Sequence, residues 1–380
     1  MSVTTPAGFT AAGIAAGIKS GDRADLALVV NSGPDFTAAG VFTSNRVKAA
    51  PVLWSQQVLR DSRLRAVVLN SGGANACTGP DGFADTHRTA ELVADGLGIG
   101  AIDVAVCSTG LIGVRLPMAA VAAGVPRLVA AASSDGGPAA ARAIMTTDSV
   151  PKQAVAVGDG WTVGGMAKGA GMLAPGLATM LVTLTTDAVL ERTRVSAQLA
   201  EACRTTFDRL DSDGCMSTND TVILMSSGAS GVSPASDEFI RALTEVCADL
   251  SGQLLADAEG AAHSIAIRVA GAASEDDAVE VGRSIARSNL FKCAVYGADP
   301  NWGRVLAALG TTAAAFEPDQ VDVSFNGVQV CRGGAIGEPR DLVDLSGREV
   351  EVAVDLHAGP ATATVWTNDL THDYVTENAE

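Results

Sequence analysis

The chain has 380 residues and a formal net charge of −17. This acidic balance argues against nucleic acid, whose phosphates bind clustered lysine and arginine. Apolar residues make up 47% of the sequence, yet no uninterrupted apolar run reaches the roughly 18 to 20 residues that span a bilayer. The first residues show neither the basic nor the apolar stretch of a secretory signal, so we expect a cytoplasmic protein without membrane contact.

The first half of the chain alternates short apolar runs with helical patterns. Apolar runs that end at Gly or Ser turns predict buried strands at residues 26–30, 66–69 and 104–107. Apolar residues at helical spacing predict helices at residues 85–97, 118–131 and 139–145. A Gly-Asp-Gly turn predicts a hairpin of residues 154–157 and 161–163.

The second half continues the mixture of strands and helices. Apolar and β-branched segments predict strands at residues 180–186, 221–225, 264–269, 349–356 and 361–367. One buried face at helical spacing predicts helices at residues 196–210 and 237–256. Asn326-Gly327 predicts a hairpin of residues 321–325 and 328–331. The sequence therefore predicts an α/β fold in which the two element types do not alternate strictly.

Cysteine and histidine give no metal-binding pattern. The seven cysteines are scattered without a Cys-x-x-Cys pair, and none of the four histidines sits at ligand spacing from another. This distribution favours reduced thiols over a disulfide framework or a zinc site, so we expect no bound metal.

A glycine-rich loop at residues 168–178 leads directly into the apolar segment that follows, with Thr179 at the junction. The threonine hydroxyl is placed to attack the carbonyl of Ala178. If attack there cuts the chain, Thr179 gains a free amine, whose pKa of roughly 7.7 to 8 suits a base for the hydroxyl. The other interpretation is an ordinary turn before a core strand, which this segment alone favours.

Two loops follow predicted strands. Cys107-Ser-Thr-Gly-Leu-Ile-Gly113 could direct N–H groups and the Thr109 hydroxyl at a developing oxyanion, or could be a threonine-capped turn. Asn70-Ser-Gly-Gly-Ala-Asn-Ala-Cys-Thr-Gly79 lacks the spacing of a nucleotide-binding loop, and it either packs closely or shapes a substrate pocket.

Polar residues also close several elements. Met145-Thr-Thr-Asp148 and Ser217-Thr-Asn-Asp-Thr221 have the composition of caps and turns. Glu259 closes a predicted helix, where its carboxylate is either solvated or binds a substrate ammonium group. The simplest interpretation of Gly297-Ala-Asp-Pro-Asn-Trp-Gly-Arg304 is the anchoring of a loop.

In their order along the chain, these motifs closely resemble the ornithine acetyltransferase family of the cyclic arginine pathway. The resemblance runs nearly from end to end, from Gly13-Ile-Ala-Ala-Gly-Ile-Lys19 to Asp369-Leu-Thr-His-Asp-Tyr-Val375. It includes Gly40-Val-Phe-Thr-Ser-Asn45 and Lys168-Gly-Ala-Gly-Met172 ahead of Ala178-Thr179. Ala262-His263 departs from it, because Thr-Lys is common there in the family.

The resemblance implies a layered α/β fold of mixed sheets, of the ornithine acetyltransferase and autoprocessing aminopeptidase type. Family members cleave themselves before the threonine of the Ala-Thr pair. This implies an α chain of residues 1–178 and a β chain of residues 179–380, interdigitated in one globule. We expect homo-oligomers of such αβ units, because the apolar faces of an Ala/Val-rich chain need covering.

The family's chemistry implies that Thr179 takes the acetyl group of N2-acetyl-L-ornithine as an ester and passes it to L-glutamate. This ping-pong reaction needs no cofactor. Some members also use acetyl-CoA, and this sequence does not decide between the two forms. The oxyanion pair of the family corresponds to Thr109 and Gly110. Its substrate contacts correspond to Thr146, Thr147, Lys168, Thr179, Glu259 and Asn378. Lys168 suits a substrate α-carboxylate, and Glu259 suits the ornithine side-chain ammonium.

Two other interpretations predict different behaviour. An N-terminal-nucleophile amidohydrolase or aminopeptidase would hydrolyse acetylornithine, and added glutamate would not redirect the acetyl group. A structural α/β protein would keep Thr179 as the start of a core strand and would stay uncut.

Overall fold

The computed structural model describes residues 2–172 and 180–379. These residues form two compact units. The first contains residues up to Ala170, then residues 180–208 and Met216–Leu254. The second contains residues 171–172, Arg209–Cys215 and the chain from Leu255 onward. Ala178 and Thr179 lie outside the described residues.

The strands of the described residues fall in both units. In chain order they are β1 (Phe9–Ile14), β2 (Leu26–Asn31), β3 (Ala38–Phe42), β4 (Ala66–Asn70), β5 (Val104–Ser108), β6 (Lys152–Val157), β7 (Thr162–Lys168), β8 (Leu181–Thr186), β9 (Thr221–Ser226), β10 (Ser264–Ala272), β11 (Asp322–Phe325), β12 (Val328–Arg332), β13 (Ala335–Ile336), β14 (Glu349–Asp355) and β15 (Ala361–Asn368).

The helices likewise occur along the whole described chain. They are α1 (Ala50–Val58), α2 (Gly79–Leu97), α3 (Met118–Ala130), α4 (Gly137–Ala143), α5 (Val195–Arg204), α6 (Ser236–Ala256), α7 (Glu275–Ala286), α8 (Asn289–Tyr296), α9 (Trp302–Leu309) and α10 (His372–Ala379). None of the helices that the structure describes is both long and apolar enough to cross a membrane.

The first unit contains two sheets. A four-stranded sheet has the order β1-β2-β4-β5, and a five-stranded sheet has the order β3-β9-β8-β7-β6. Each is mixed, because β4 pairs in parallel with β5 and β8 pairs in parallel with β9, whereas the other pairs are antiparallel. Every residue of β8 is buried, as its apolar and β-branched sequence predicts for a central strand. Strands from both sides of residue 178 therefore share this sheet: Lys168 of β7 lies opposite Leu181 of β8.

The second unit is built on one six-stranded sheet of order β13-β12-β11-β14-β10-β15. Strand β10 pairs in parallel with β14 and antiparallel with β15. Its side chains alternate: Ile265, Ile267 and Val269 are fully buried, while Arg268 is exposed. The buried face packs with α7, α8 and α9 around one apolar core, since alternation places every second side chain on the same face.

The predicted α/β class with mixed sheets is confirmed, and most predicted elements lie within a few residues of the observed ones. The helix predicted at residues 196–210 is wrong in its second half, because α5 ends at Arg204. Thr206 explains the difference: its hydroxyl donates to the Ala202 carbonyl at 2.6 Å, which competes with regular helical bonding in the last turn. The strand predicted from residue 180 begins one residue later, at Leu181.

Candidate active site

The predicted site residues are distributed over both units. The first unit holds Thr109, Gly110, Thr146, Thr147 and Lys168. The second holds Glu259 and Asn378. The proposed scissile pair, Ala178 and Thr179, lies outside the described residues.

Thr109 and Lys168 meet in the first unit. Thr109 follows the last residue of β5, and its backbone N–H donates to the Asn70 carbonyl at 3.0 Å. The Lys168 Nζ, at the end of β7, donates to the Thr109 Oγ1 at 3.2 Å. Both residues are almost completely buried, with exposed fractions of 1% and 2%. Because Thr109 Oγ1 accepts from the lysine, its own proton remains available to a third group.

Gly110 turns the chain sharply after Thr109. Its φ is +128°, and a Cβ at this position would lie 2.7 Å from the backbone nitrogen of Gly73. Only glycine fits such a conformation and such a close approach. In the part of the chain that the structure describes, no residue accepts a hydrogen bond from the N–H of Gly110. A backbone donor and a threonine hydroxyl therefore adjoin each other, as an oxyanion site requires.

Asn219 connects the loops around this turn. Its side-chain amide donates to the Ala74 carbonyl at 2.6 Å and to the Ser108 carbonyl at 2.8 Å. The Ser217–Thr221 motif thus does more than cap its own segment. It fixes the backbone immediately before Thr109, because Ser108 is the last residue of β5 and Ala74 lies on the neighbouring loop.

Asp148 joins Lys152 and the start of the glycine-rich loop. Its Oδ1 accepts from Lys152 Nζ at 2.7 Å, with both side chains fully buried, and from the Gly169 N–H at 2.6 Å. Burial alone would raise the pKa of Asp148, but the ammonium groups of Lys168 and Lys152 and the Gly169 N–H hold it below its ordinary value. The carboxylate therefore remains charged and holds residue 169 in place.

The two candidate threonines precede Asp148 in the sequence. The Thr146 N–H donates to Asp148 Oδ2 at 2.9 Å, so the carboxylate shapes this turn as well. Thr146 is half-buried, whereas Thr147 is exposed. Both belong to the unit that carries Thr109 and Lys168.

Asp220 anchors the residue that follows Thr179. Its Oδ1 accepts from the Met180 N–H at 3.0 Å, and its side chain is completely buried. Burial raises the pKa of Asp220 well above its ordinary value, and the Met180 N–H and the charge of Lys168 oppose only part of that rise. From this buried position, Asp220 holds the backbone at the start of β8, and burial favours the uncharged form of its carboxyl.

In the second unit, Glu259 lies just beyond α6 and lines a cavity of about 220 Å³. A Cβ at Gly171 would lie 2.3 Å from Glu259 Oε2, so the second glycine of the Lys168-Gly-Ala-Gly motif makes room for this carboxylate. Asn378 is exposed on α10, and its side-chain amide donates to the Tyr374 carbonyl at 3.0 Å. No described contact joins Asn378 to Glu259.

The sequence profile of the ArgJ family matches residues 10–380. The chain belongs to the ArgJ family.

Relatives in this family match over the whole chain. The arginine biosynthesis bifunctional protein ArgJ of Streptomyces avermitilis is 67% identical over 379 residues, which cover 100% of this chain and 99% of that protein. The protein of the same name from Thermobifida fusca is 65% identical over 379 residues, again covering 100% and 99%. This ArgJ-family chain is an enzyme of arginine biosynthesis with acyltransferase chemistry.

A solved structure also matches part of the ArgJ-family chain. It is the crystal structure of ornithine acetyltransferase complexed with ornithine from Mycobacterium tuberculosis. The aligned parts are 64% identical and cover 47% of this chain and 96% of that one, with a TM-score of 0.46.

Sequence reasoning did not find three residues that support the ArgJ-family site: Asp148, Lys152 and Asp220. A signal was present, because Lys152 and Lys168 stand at the ends of two mostly apolar hairpin strands. A lysine in such a place needs a partner when buried, and Asp148 is four residues away. Asp220 gave no comparable signal, since a carboxyl after Asn219 is equally compatible with a turn.

Proposed function

We propose that this ArgJ-family enzyme transfers the acetyl group of N2-acetyl-L-ornithine to L-glutamate through an ester on Thr179. The observation that carries the proposal is the buried pair of Thr109 and Lys168 beside the N–H of Gly110, which donates to none of the residues that the structure describes. Two adjacent donors suit the oxyanion that forms when a hydroxyl attacks a carbonyl.

The first step is self-cleavage. The Thr179 hydroxyl oxygen attacks the Ala178 carbonyl carbon, the peptide C–N bond breaks, and the nitrogen takes up a proton to become the free amine of Thr179. Water then hydrolyses the resulting ester, leaving a carboxylate at Ala178. Asp220 supports this step, because it fixes the N–H of Met180 directly after the scissile bond.

The transfer then follows in two half-reactions. The Thr179 hydroxyl attacks the acetyl carbon of acetylornithine, its proton passes to the Thr179 amine, and ornithine leaves as its C–N bond breaks and its nitrogen is protonated. The amine of glutamate next attacks the acetyl ester and loses a proton as Thr179 Oγ is released and reprotonated. The products are ornithine and N-acetyl-L-glutamate.

The remaining site residues are proposed to hold the substrates. Lys168 takes the substrate α-carboxylate, and Glu259 takes the ornithine ammonium, since each offers the opposite charge. Thr146, Thr147 and Asn378 are proposed as hydrogen-bonding contacts. The word bifunctional in the relatives' name supports a second activity, in which acetyl-CoA replaces acetylornithine as the donor.

The proposed chains, residues 1–178 and 179–380, would stay associated after the cut. The pairing of β7 with β8 supports this, because strands from both sides of residue 178 share one sheet. We also propose that αβ units form homo-oligomers. Exposed large apolar side chains such as Leu290 and Ile336 support that proposal.

The decisive test combines denaturing mass spectrometry with an acetyl-transfer assay. The wild type should give two fragments that meet between residues 178 and 179, while Thr179→Ala should stay uncut and inactive. Acetyl transfer by the Thr179→Ala variant would refute the nucleophile. Ornithine release that glutamate does not convert into N-acetylglutamate would instead establish the hydrolase. Acetyl-CoA with glutamate tests the second activity, and light scattering of the cut protein tests the oligomer.

A further inference from the structure

The cavity beside Glu259 is lined by side chains of both charges. Its volume is about 220 Å³, and its walls include Glu259 and Asp213 as well as Lys292 and Arg287. A third carboxylate, Asp369, is already engaged: its Oδ1 accepts from the N–H groups of residues 262 and 263, and its Oδ2 lies 2.7 Å from a ring nitrogen of His263. Two of the other charged side chains also have partners within the unit: Arg287 donates to Asp211, and Asp213 accepts from the N–H of Cys215.

Lys292 is the buried cation of this cavity. It lies on α8 and is 5% exposed, and its Nζ donates to the Ser212 carbonyl and to Thr367 Oγ1. A charged lysine has three N–H bonds, so these two acceptors leave one for another partner. Burial lowers the pKa of Lys292 to about 8, against the opposing charges of Asp213, Asp211 and Asp369. At neutral pH the side chain is therefore still mostly protonated.

The two carboxylates face a common neighbour, Tyr374. Burial, followed by the charges of Asp213 and Glu259, raises the pKa of the Tyr374 phenol to about 12. Asp213, Glu259 and Tyr374 line the same cavity. A cavity lined by Asp213, Glu259 and Lys292 can bind a cationic or an anionic group, depending on which of these side chains the group contacts.

The proposed acetyl transfer requires a site that binds side-chain groups of either charge. In a ping-pong reaction the donor and the acceptor occupy the same site in turn, and both substrates are α-amino acids. Ornithine carries its ammonium nitrogen on Cδ, and glutamate carries its carboxylate oxygens on Cδ. The two charged groups therefore reach the same depth in a shared pocket, although their charges are opposite.

We propose that Lys292 binds the side-chain carboxylate of glutamate, in the same cavity where Glu259 and Asp213 bind the side-chain ammonium of ornithine. This inference rests on the proposed function and adds the residue that recognises glutamate, the acetyl acceptor.

Acceptor selectivity provides the test. The ratio of kcat/KM for glutamate to that for glutamine is measured with acetylornithine as donor, in the wild type, Lys292→Met and Lys292→Arg. A charge-assisted hydrogen bond is worth a factor of roughly 10 to 100, so the ratio should fall by about that factor in Lys292→Met. It should recover in part in Lys292→Arg, while kcat/KM for acetylornithine changes less than about threefold.

Arg268→Met is the matched control. It removes one cation from an exposed site on β10 of the same unit, outside this cavity, and should leave both values unchanged. An unchanged glutamate-to-glutamine ratio in Lys292→Met would overturn the inference. So would an equal loss of kcat/KM for glutamate, glutamine and acetylornithine, because that pattern indicates a structural role only. Absence of acetyl transfer in the wild type would instead overturn the proposed function.

A second measurement uses the wild type and does not depend on a folded variant. Amine-directed acylation is followed by peptide mass spectrometry at pH 8, near the pKa of Lys292. N-acetylglutamate should protect Lys292 at least severalfold more than N-acetylglutamine does. Equal protection by the two compounds would contradict carboxylate binding at this residue.

Discussion

Lys168 Nζ lies 3.2 Å from Thr109 Oγ1, and both residues are almost completely buried. The lysine occupies a lone pair of the threonine oxygen, so the hydroxyl proton is directed away from the lysine. A positioned donor of this kind acts on charge that develops in the transition state, where water would otherwise compete.

Thr109→Ala removes the hydroxyl and should lower kcat by roughly 10² to 10³, as loss of one oxyanion donor does. Thr109→Ser keeps the hydroxyl and should retain most of the activity. Steady-state assays of both variants, after mass spectrometry to establish how far each is cut, check this prediction. Equal activity of the Ala and Ser variants would show that the hydroxyl does not contribute.

Gly110→Ala should destabilise the fold as well as the site. Its Cβ would lie 2.7 Å from the Gly73 nitrogen, and a φ of +128° is strained for alanine. We expect a loss of about 1–3 kcal/mol or more in the free energy of unfolding. Gly113→Ala is the matched control, because Gly113 also has a positive φ of +84° but open space around its Cβ position. Urea unfolding should show the smaller loss in Gly113→Ala, and the reverse order would contradict the clash.

Asp148→Asn breaks the buried ion pair with Lys152 and should cost about 3–5 kcal/mol in unfolding free energy at pH 7, because the buried ammonium loses the carboxylate that balances its charge. The pH dependence has a definite sign. A carboxyl whose folded-state pKa lies below its unfolded value stabilises the protein above pH 4 or so, and this contribution is lost as pH falls through the folded pKa. Urea midpoints between pH 7 and pH 2 should therefore fall more in the wild type than in Asp148→Asn.

Asp220→Ala should slow self-cleavage, because the buried N–H of Met180 loses its acceptor next to the proposed scissile bond. The unsatisfied donor should also cost about 1–3 kcal/mol. Asp220→Asn keeps a carbonyl oxygen and matches the uncharged state that burial favours. Its cleavage, followed by gel densitometry over time, should stay close to that of the wild type. Slow cleavage in both variants would show that the carboxyl group itself is needed and that an amide cannot replace it.

The strands predicted most accurately from sequence are those with continuous or alternating apolar side chains, such as β8 and β10. Strand β1 gave no such signal, because Phe9–Ile14 is mostly Ala, Gly and Thr and takes its place by pairing with β2. The short helix α8 was also missed. Its buried face is defined by the sheet of the second unit, and eight residues of sequence carry little periodicity.

The same limit applies to the candidate site. Thr109, Gly110 and Lys168 could be named because motifs with a fixed order contain them. The role of Gly171 could not be predicted. The carboxylate that occupies the space next to this glycine belongs to Glu259, 88 positions further along the chain. Lys292 was missed for a related reason: neither its burial nor its acceptors Ser212 and Thr367 can be inferred from neighbouring residues.

The pairing of Lys168 with Leu181 across β7 and β8 has a consequence for refolding. In the uncut chain, only twelve residues separate these partners, so their encounter is intramolecular and independent of protein concentration. A cut after residue 178 would remove that tether and turn renewed pairing into a collision between two molecules. The denaturation midpoint of the mature enzyme should then depend on dilution, whereas that of an uncut precursor should not.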